Sequence, residues 1–444
     1  MATVGLIAVG HIDYVGENAQ KLLRDSVKNL SDKGINVIWK DEIATDSKRA
    51  RTLAKDIIKS DVDSVILFLS TWIESPVAMS VVREIEHIPF AVWGSPMFRD
   101  KGNLTSTGSF VSFAMFTGSL KRLGYNFKPL LGTPEDENTI KEALIFCQAA
   151  SAYQALKIST VGLVGYTSMS IYPGTFDHLL MRKKIGPEIE QMDTYTLINK
   201  MKEFKDEDCQ DVIQYLKKSA RIMPDVSMED LLTVSKMYLA MKKICQEKDF
   251  KAINVKCQYE LSKEFGMVAC VPLSILAEDF IVAACEGDIL VTVSMLLMHY
   301  LSGNITAYAD IININEDGTI KLSPCGFIPF SLGEGDQYNK EIRNFMPGVG
   351  FKGIQNSFVF KPGRVTILRL VEDIGNYHII YTTGEGLPTK LRQGYMPALD
   401  VKIDGSIEKM IDYFAGQHYA LCYGDLSKEV EELSRILGIE CVRI

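Results

Sequence analysis

Through the first third of the chain, short apolar runs alternate with longer amphipathic stretches, and this alternation leaves few folds open. Val4 to Val9, Asn36 to Trp39, Ser64 to Leu69 and Phe90 to Trp93 read as strands. Gly16 to Lys33, Ser47 to Lys59 and Val77 to Glu86 carry helical periodicity. Strands separated by helices pair in parallel, because each helix returns the chain to the same end of the sheet, and the helices cover both faces. Ligands of such sheets sit at the carboxyl ends of the strands. The loops Gly10 to Tyr14, Ser70 to Trp72 and Gly94 to Pro96 therefore carry the functional expectation here. His11 and Trp72 are their candidate substrate contacts, although an indole at position 72 suits interdomain packing equally well.

A helix expected from Glu137 to Ala155 leads to a second alternating unit, which opens with a strand at Ser159 to Gly165. It continues through a helix at Met228 to Glu247 and a strand at Ala252 to Lys256, ending in Cys257-Gln258. Beyond Asp310 the texture changes. Strand-like stretches at Ile311 to Ile314, Ser357 to Phe360, Val365 to Val371 and Tyr377 to Thr383 are punctuated by glycines and by Pro362-Gly363, which suits an antiparallel sheet or barrel. A final helix from Ser427 to Leu437 closes the chain. The expected class is α/β: two Rossmann-like open-sheet domains, residues 1–155 and 156–308, followed by a β-rich, barrel-like C-terminal domain, residues 309–444.

A chain of 444 residues exceeds one ordinary core, which agrees with that division. Its net charge of −8 and the absence of a basic run argue against nucleic acid or an anionic membrane as the main partner, and leave small molecules. The N-terminus lacks the basic flank of a signal peptide, and Ile289 to Met298 is too short to span a bilayer, so a cytoplasmic location is expected. Nine cysteines without a CxxC pair read as reduced, mostly buried thiols.

The densest chemistry lies further on. Cys285-Glu286-Gly287-Asp288 places an acidic cluster directly ahead of the apolar run Ile289 to Leu301, and Asp310 follows Glu286 by 24 residues. Two carboxylates flanking one helix can return to one site and hold a hard divalent cation. Other motifs fall away. Gly162 to Gly165 lacks the spacing of a dinucleotide fingerprint, and Gly333 to Asp336 and Gly384 to Gly386 lack the lysine and hydroxyl of a phosphate loop. No serine nucleophile elbow occurs. Among the histidines, His87 and His178 suit the surface or packing, and His299 falls in the apolar run. His418, in Gly416 to Asp425, taken alone fits a structural role as well as a ligand role.

Several segments, taken in order, resemble the L-fucose isomerase and L-arabinose isomerase family. Phe90-Ala-Val-Trp-Gly-Ser-Pro96, Ser106-Thr-Gly-Ser109 and Leu120-Lys-Arg-Leu-Gly124 look like its first domain. Val161 to Gly165, with Met169 and Tyr172, is similar to the opening of its second. Lys256-Cys-Gln258 and Ala283-Ala-Cys-Glu-Gly-Asp288 resemble the end of that domain, and Gln417-His-Tyr-Ala resembles the C-terminal ligand strand. The resemblance implies a metal-dependent aldose-ketose isomerase for a pentose or 6-deoxyhexose. Glu286, Asp310 and His418 would bind manganese, with magnesium or cobalt as alternatives, and the two carboxylates would also carry protons through an enediol. Gln258, Trp72 and His11 would contact substrate. The family further implies a homo-oligomer, trimeric or hexameric, with the active site at a subunit interface and His11 and Trp72 acting in trans. One departure bears on the sugar: members often carry a histidine before the Cys-Gly that matches Cys325-Gly326, where this chain has Pro324. Two other readings remain at this point, a non-catalytic sugar-binding or regulatory protein of the same architecture, and a metal-dependent epimerase or aldolase.

Overall fold

The computed structural model describes residues 2–346 and 350–444. The chain forms two compact units, one running to Gln154 and including Lys428–Gly438, the other comprising Ala155–Ser427 and Ile439–Ile444.

In the first unit five parallel strands lie in the order Asn36–Ala44, Thr3–Val9, Ser64–Leu69, Phe90–Gly94 and Lys128–Leu131. Alternation along the strands sends Leu6, Ile66, Phe68 and Trp93 to one face, against Leu23 and Phe146, and sends Ile7, Val65, Leu67 and Val92 to the other, against Leu53, Val81 and Phe116. With both faces covered, the central strands are apolar at nearly every position. The Asn36–Ala44 strand runs past the expected end at Trp39 because it is an edge strand. Lys40 and Asp41 stay exposed there, so the end of the apolar run does not mark the end of the strand. The strand order reverses between Thr3–Val9 and Ser64–Leu69, which opens a crevice at their carboxyl ends.

The second unit contains a four-stranded parallel sheet in the order Val282–Cys285, Phe250–Val255, Thr160–Val164 and Glu188–Met192. It also contains a closed antiparallel β-barrel. The ring runs Gly363–Asp373, His418–Tyr423, Ala307–Ile314, Ile320–Ser323, Leu399–Ile403 and Asn376–Leu387, and closes where Asn376–Leu387 pairs back onto Gly363–Asp373. The helix Ile289–Ser302 packs against both the parallel sheet and the barrel, which is why it is apolar on all sides.

Two expectations need correction. The strand expected at Ser357 to Phe360 is instead Ile354–Ser357, and it belongs to a small separate sheet with Arg221–Ile222 and Glu341–Asn344. Its partner strand begins at Glu341, opposite Ser357, so the ladder has nothing to continue along. The helix Ser427–Leu437 is not the last element. Glu440–Arg443 follows it and adds in parallel to Asn376–Leu387. Among the described residues no helix is long and apolar enough to cross a membrane, and the nine cysteines are free, all buried except Cys325 and Cys441.

Candidate active site

The acidic cluster, Asp310 and His418 meet where the parallel sheet of the second unit faces the barrel. Glu286 follows directly on the strand Val282–Cys285. Asp310 lies in Ala307–Ile314, and His418, the first residue of its own strand, sits directly opposite it in the antiparallel register. The His418 ring is fully buried. Its Nε2 lies 3.4 Å from Glu286 Oε2 and 3.4 Å from Asp310 Oδ1, yet has no hydrogen-bond partner.

The other face of that ring is held by a side chain that sequence reasoning noticed only as part of a cluster. Asp288 caps the helix Ile289–Ser302 by accepting from Val291 N through Oδ1 at 3.0 Å. Its Oδ2 lies 2.9 Å from His418 Nδ1 and accepts from Arg369 Nη1 at 3.0 Å. Arg369 is itself completely buried, donates to the His418 carbonyl at 2.6 Å and reaches the Pro173 carbonyl. A carboxylate on Nδ1 orients the imidazole and directs Nε2 toward Glu286 and Asp310, as carboxylates do behind metal-bound histidines.

Glu286 is held in an unusual backbone conformation, with φ at +69°. The loop around it is fixed on every side. The Glu286 carbonyl accepts from Ser168 N at 2.8 Å, and Gly287 N donates to Asn254 Oδ1 at 2.7 Å. Asn254 Nδ2 in turn donates to Cys285 O, Asp288 O and Thr292 Oγ1. Gly287 has φ at +70°, and a Cβ there would come within 2.2 Å of the Tyr166 carbonyl, so glycine alone fits the turn. Gln258 is buried at the neighbouring strand end, where its Oε1 accepts from Ser168 Oγ at 2.7 Å. Tyr308 stands edge-on to His418 with centroids 5.4 Å apart, and the Cys325 thiol donates weakly to Glu286 Oε1 at 3.7 Å.

Charge follows from this packing. Burial opposes protonation of His418, but Asp288 and Glu286 outweigh it and push the imidazole up to about 10. Burial drives the Asp310 carboxyl up to about 6, against the pull of protonated His418 and with the push of Glu286. Burial also opposes ionisation of Asp288, but Arg369 and His418 hold that carboxyl below the ordinary range.

Among the described residues no three His, Cys, Asp or Glu side chains already stand in metal-holding geometry. The donor chemistry nonetheless fits a divalent cation. A buried, unpartnered imidazole nitrogen lies between two carboxylates, with its second nitrogen anchored by a third. Glu286 and Asp310 are the two less enclosed members of the set.

The remaining candidates lie in the first unit and come together there. His11 N donates to Trp72 O at 3.1 Å and to Thr71 Oγ1 at 2.9 Å, and the two rings meet with centroids 5.3 Å apart at the carboxyl-end crevice. Arg369 and Tyr308 were missed. The signal available for Arg369 was a single charge inside the apolar run Val365 to Val371, which requires a buried partner.

No known family model matches the chain. Among curated proteins, the sulfoquinovose isomerase of Alkalicoccus urumqiensis is 23 % identical over 87 % of this chain and 87 % of its own length. That of Priestia aryabhattai is 22 % identical over 99 % of this chain and 98 % of its own, and that of Clostridium sp. (strain MSTE9) is 23 % identical over 71 % of each. These relatives are sugar isomerases. Their similarity runs through both units and supports a sugar isomerase relationship, without bringing in the L-fucose or L-arabinose type. Among solved structures, a periplasmic solute-binding protein from Actinobacillus succinogenes 130z with bound D-allose aligns at 8 % identity over 68 % of this chain and 92 % of its own, with a TM-score of 0.19, too low to carry any argument.

Proposed function

We propose that the protein is a metal-dependent aldose-ketose isomerase whose substrate is a sugar of the sulfoquinovose type, a glucose bearing a sulfonate on C6. Glu286, Asp310 and His418 would hold one divalent cation, with manganese the expected ion and magnesium or cobalt alternatives. The observation that carries this reading is the unpartnered Nε2 of buried His418, aimed between the Glu286 and Asp310 carboxylates.

A bound cation would neutralise the negative charge that develops on the two sugar oxygens next to the reacting carbons. The chain's own groups handle the proton. Isomerisation removes hydrogen from C2 of the aldose and delivers hydrogen to C1, while the hydroxyl proton on O2 leaves and O1 gains one. Burial raises the Asp310 carboxyl and a bound cation would pull it back down, so Asp310 is assigned as a proton carrier on its place beside His418 Nε2. Glu286, fixed by its turn and touched by the Cys325 thiol, is the second carrier. Asp288 keeps Nδ1 of His418 occupied, so that Nε2 alone faces the reacting groups. His11 and Trp72, at the crevice of the first unit, are assigned to substrate contact from a neighbouring copy in a homo-oligomer.

The test is product analysis in deuterated water. With manganese supplied, sulfoquinovose should give its 2-ketose, with deuterium on C1 of the ketose and on C2 of recovered aldose. L-fucose and L-arabinose should turn over more slowly. An epimer or a cleaved fragment as the main product would replace isomerisation with epimerase or aldolase chemistry. Binding of the sugar without any product would make the chain a sugar-binding protein.

A further inference from the structure

Besides the His418 imidazole, Arg369, Lys256 and Arg392 lie on the segments around the site, and the first two are in ion pairs. Arg369 pairs with Asp288, and Lys256, whose side chain is fully buried, pairs with Glu260. The third is Arg392. Its Nε donates to Ser323 Oγ at 2.8 Å, and Nη2 contacts the Met396 sulfur. Among the described residues no carboxylate ion pair forms with its half-buried guanidinium. A half-buried guanidinium with no carboxylate in direct contact keeps donors that an added anion can take up.

Its position says which anion is suited. Ser323, which anchors Arg392, lies directly opposite Asp310 in the barrel register, and Arg392 exerts an electrostatic pull on the Asp310 carboxyl. The arginine thus lies on the Asp310 side of the candidate site, where Glu286 and Asp310 flank His418 Nε2. An anionic group on a sugar would be repelled by those two carboxylates and drawn to the guanidinium. The loop that presents Arg392, residues 388–398, is already fixed. Gln355 Nε2 donates to the Gly394 carbonyl at 2.9 Å, Ser357 Oγ donates to the Tyr395 carbonyl at 2.7 Å, and the Arg343 guanidinium stacks 3.7 Å from the Tyr395 ring centre. Ser323 Oγ also donates to Pro397 O at 2.6 Å, which ties the far end of the loop to the same hydroxyl. Little ordering is left for a ligand to impose.

We propose that Arg392 is the specificity-determining residue for the anionic end of the substrate: its guanidinium receives the sulfonate of a sulfonated hexose whose carbonyl end lies at Glu286 and Asp310. A sulfonate is permanently ionised and offers three acceptor oxygens, and a guanidinium matches such a group with paired donors, which lysine cannot reproduce. The orientation of the sugar rests on the isomerase reading given above.

The test measures binding as well as turnover on the full chain. Titration calorimetry with sulfoquinovose and with 6-deoxyglucose, which lacks the sulfonate, should show wild type favouring the sulfonated sugar by roughly ten- to a hundredfold, the range for a hydrogen bond to a charged group. In Arg392→Gln that ratio should fall to near one, and Arg392→Lys should restore part of it. Thermal melting of each variant establishes that the loop still folds. A wild type without preference, or a preference that survives Arg392→Gln, overturns the assignment. Preferential binding that depends on Arg392 without any conversion of the sugar would sink the isomerase reading and leave Arg392 standing. Conversion with no Arg392-dependent preference would do the reverse.

Discussion

Glu286→Gln is expected to lower kcat by about a thousandfold or more while the chain stays folded, because general acid-base carriers typically contribute two to four powers of ten and this one is also assigned to hold the cation. The substitution preserves shape. The backbone of residue 286 is fixed through main-chain groups, its carbonyl accepting from Ser168 and its neighbour Gly287 donating to Asn254, and neither bond involves the side chain that changes. Circular dichroism and melting should therefore match wild type, and manganese affinity should fall. Asp310→Asn should behave alike, since its carboxyl lies at the same 3.4 Å from His418 Nε2. Turnover within tenfold of wild type in both variants would remove these carboxylates as proton carriers.

The largest effect on stability is expected from Arg369→Met. Arg369 and Asp288 are both completely buried, and the pair is joined at 3.0 Å. Removing the guanidinium leaves a buried carboxylate with only the His418 imidazole and Val291 N as partners, and opens the His418 and Pro173 carbonyls that Arg369 satisfied. Breaking such a pair costs about 3–5 kcal/mol, enough to lower Tm by roughly 10 °C in a unit of this size. Adding Asp288→Asn in the same chain removes the stranded charge, so the double variant should recover part of the stability. It should not recover activity, because His418 Nδ1 then lacks its anionic anchor. Chemical denaturation of the two single variants and the double variant completes the cycle. Equal melting of wild type and Arg369→Met would mean that the pair contributes nothing.

The legible parts of the molecule were those with a local signature. Four of the five strands of the first parallel sheet and two of the four in the second showed as apolar runs between helical stretches, because strands buried on both faces leave no polar alternation, whereas Lys128–Leu131, Glu188–Met192 and Val282–Cys285 went unread. The acidic residues 286 and 288 stood out as a cluster before an apolar helix, and His418 was picked from six histidines only through its flanking Gln417 and Tyr419. What stayed hidden depended on distant partners. Asp288 anchors a histidine 130 residues away, and nothing local separates that role from an ordinary helix cap. Arg369 fell inside an expected barrel strand, and nothing local singled out Arg392. Ser357 to Phe360 misled because Phe358 and Phe360 are buried without belonging to a ladder. Burial and strand pairing leave the same apolar trace in a sequence.

The central claim is that Glu286, Asp310 and His418 hold one cation on which sugar isomerisation depends. The most direct measurement strips the full-length protein with a chelator, verifies its metal content by mass spectrometry, and follows sulfoquinovose by NMR as manganese is added back. The account predicts no ketose from the stripped protein and a rate that rises with manganese and levels off at one ion per chain. Full turnover by protein shown to be free of metal would contradict it.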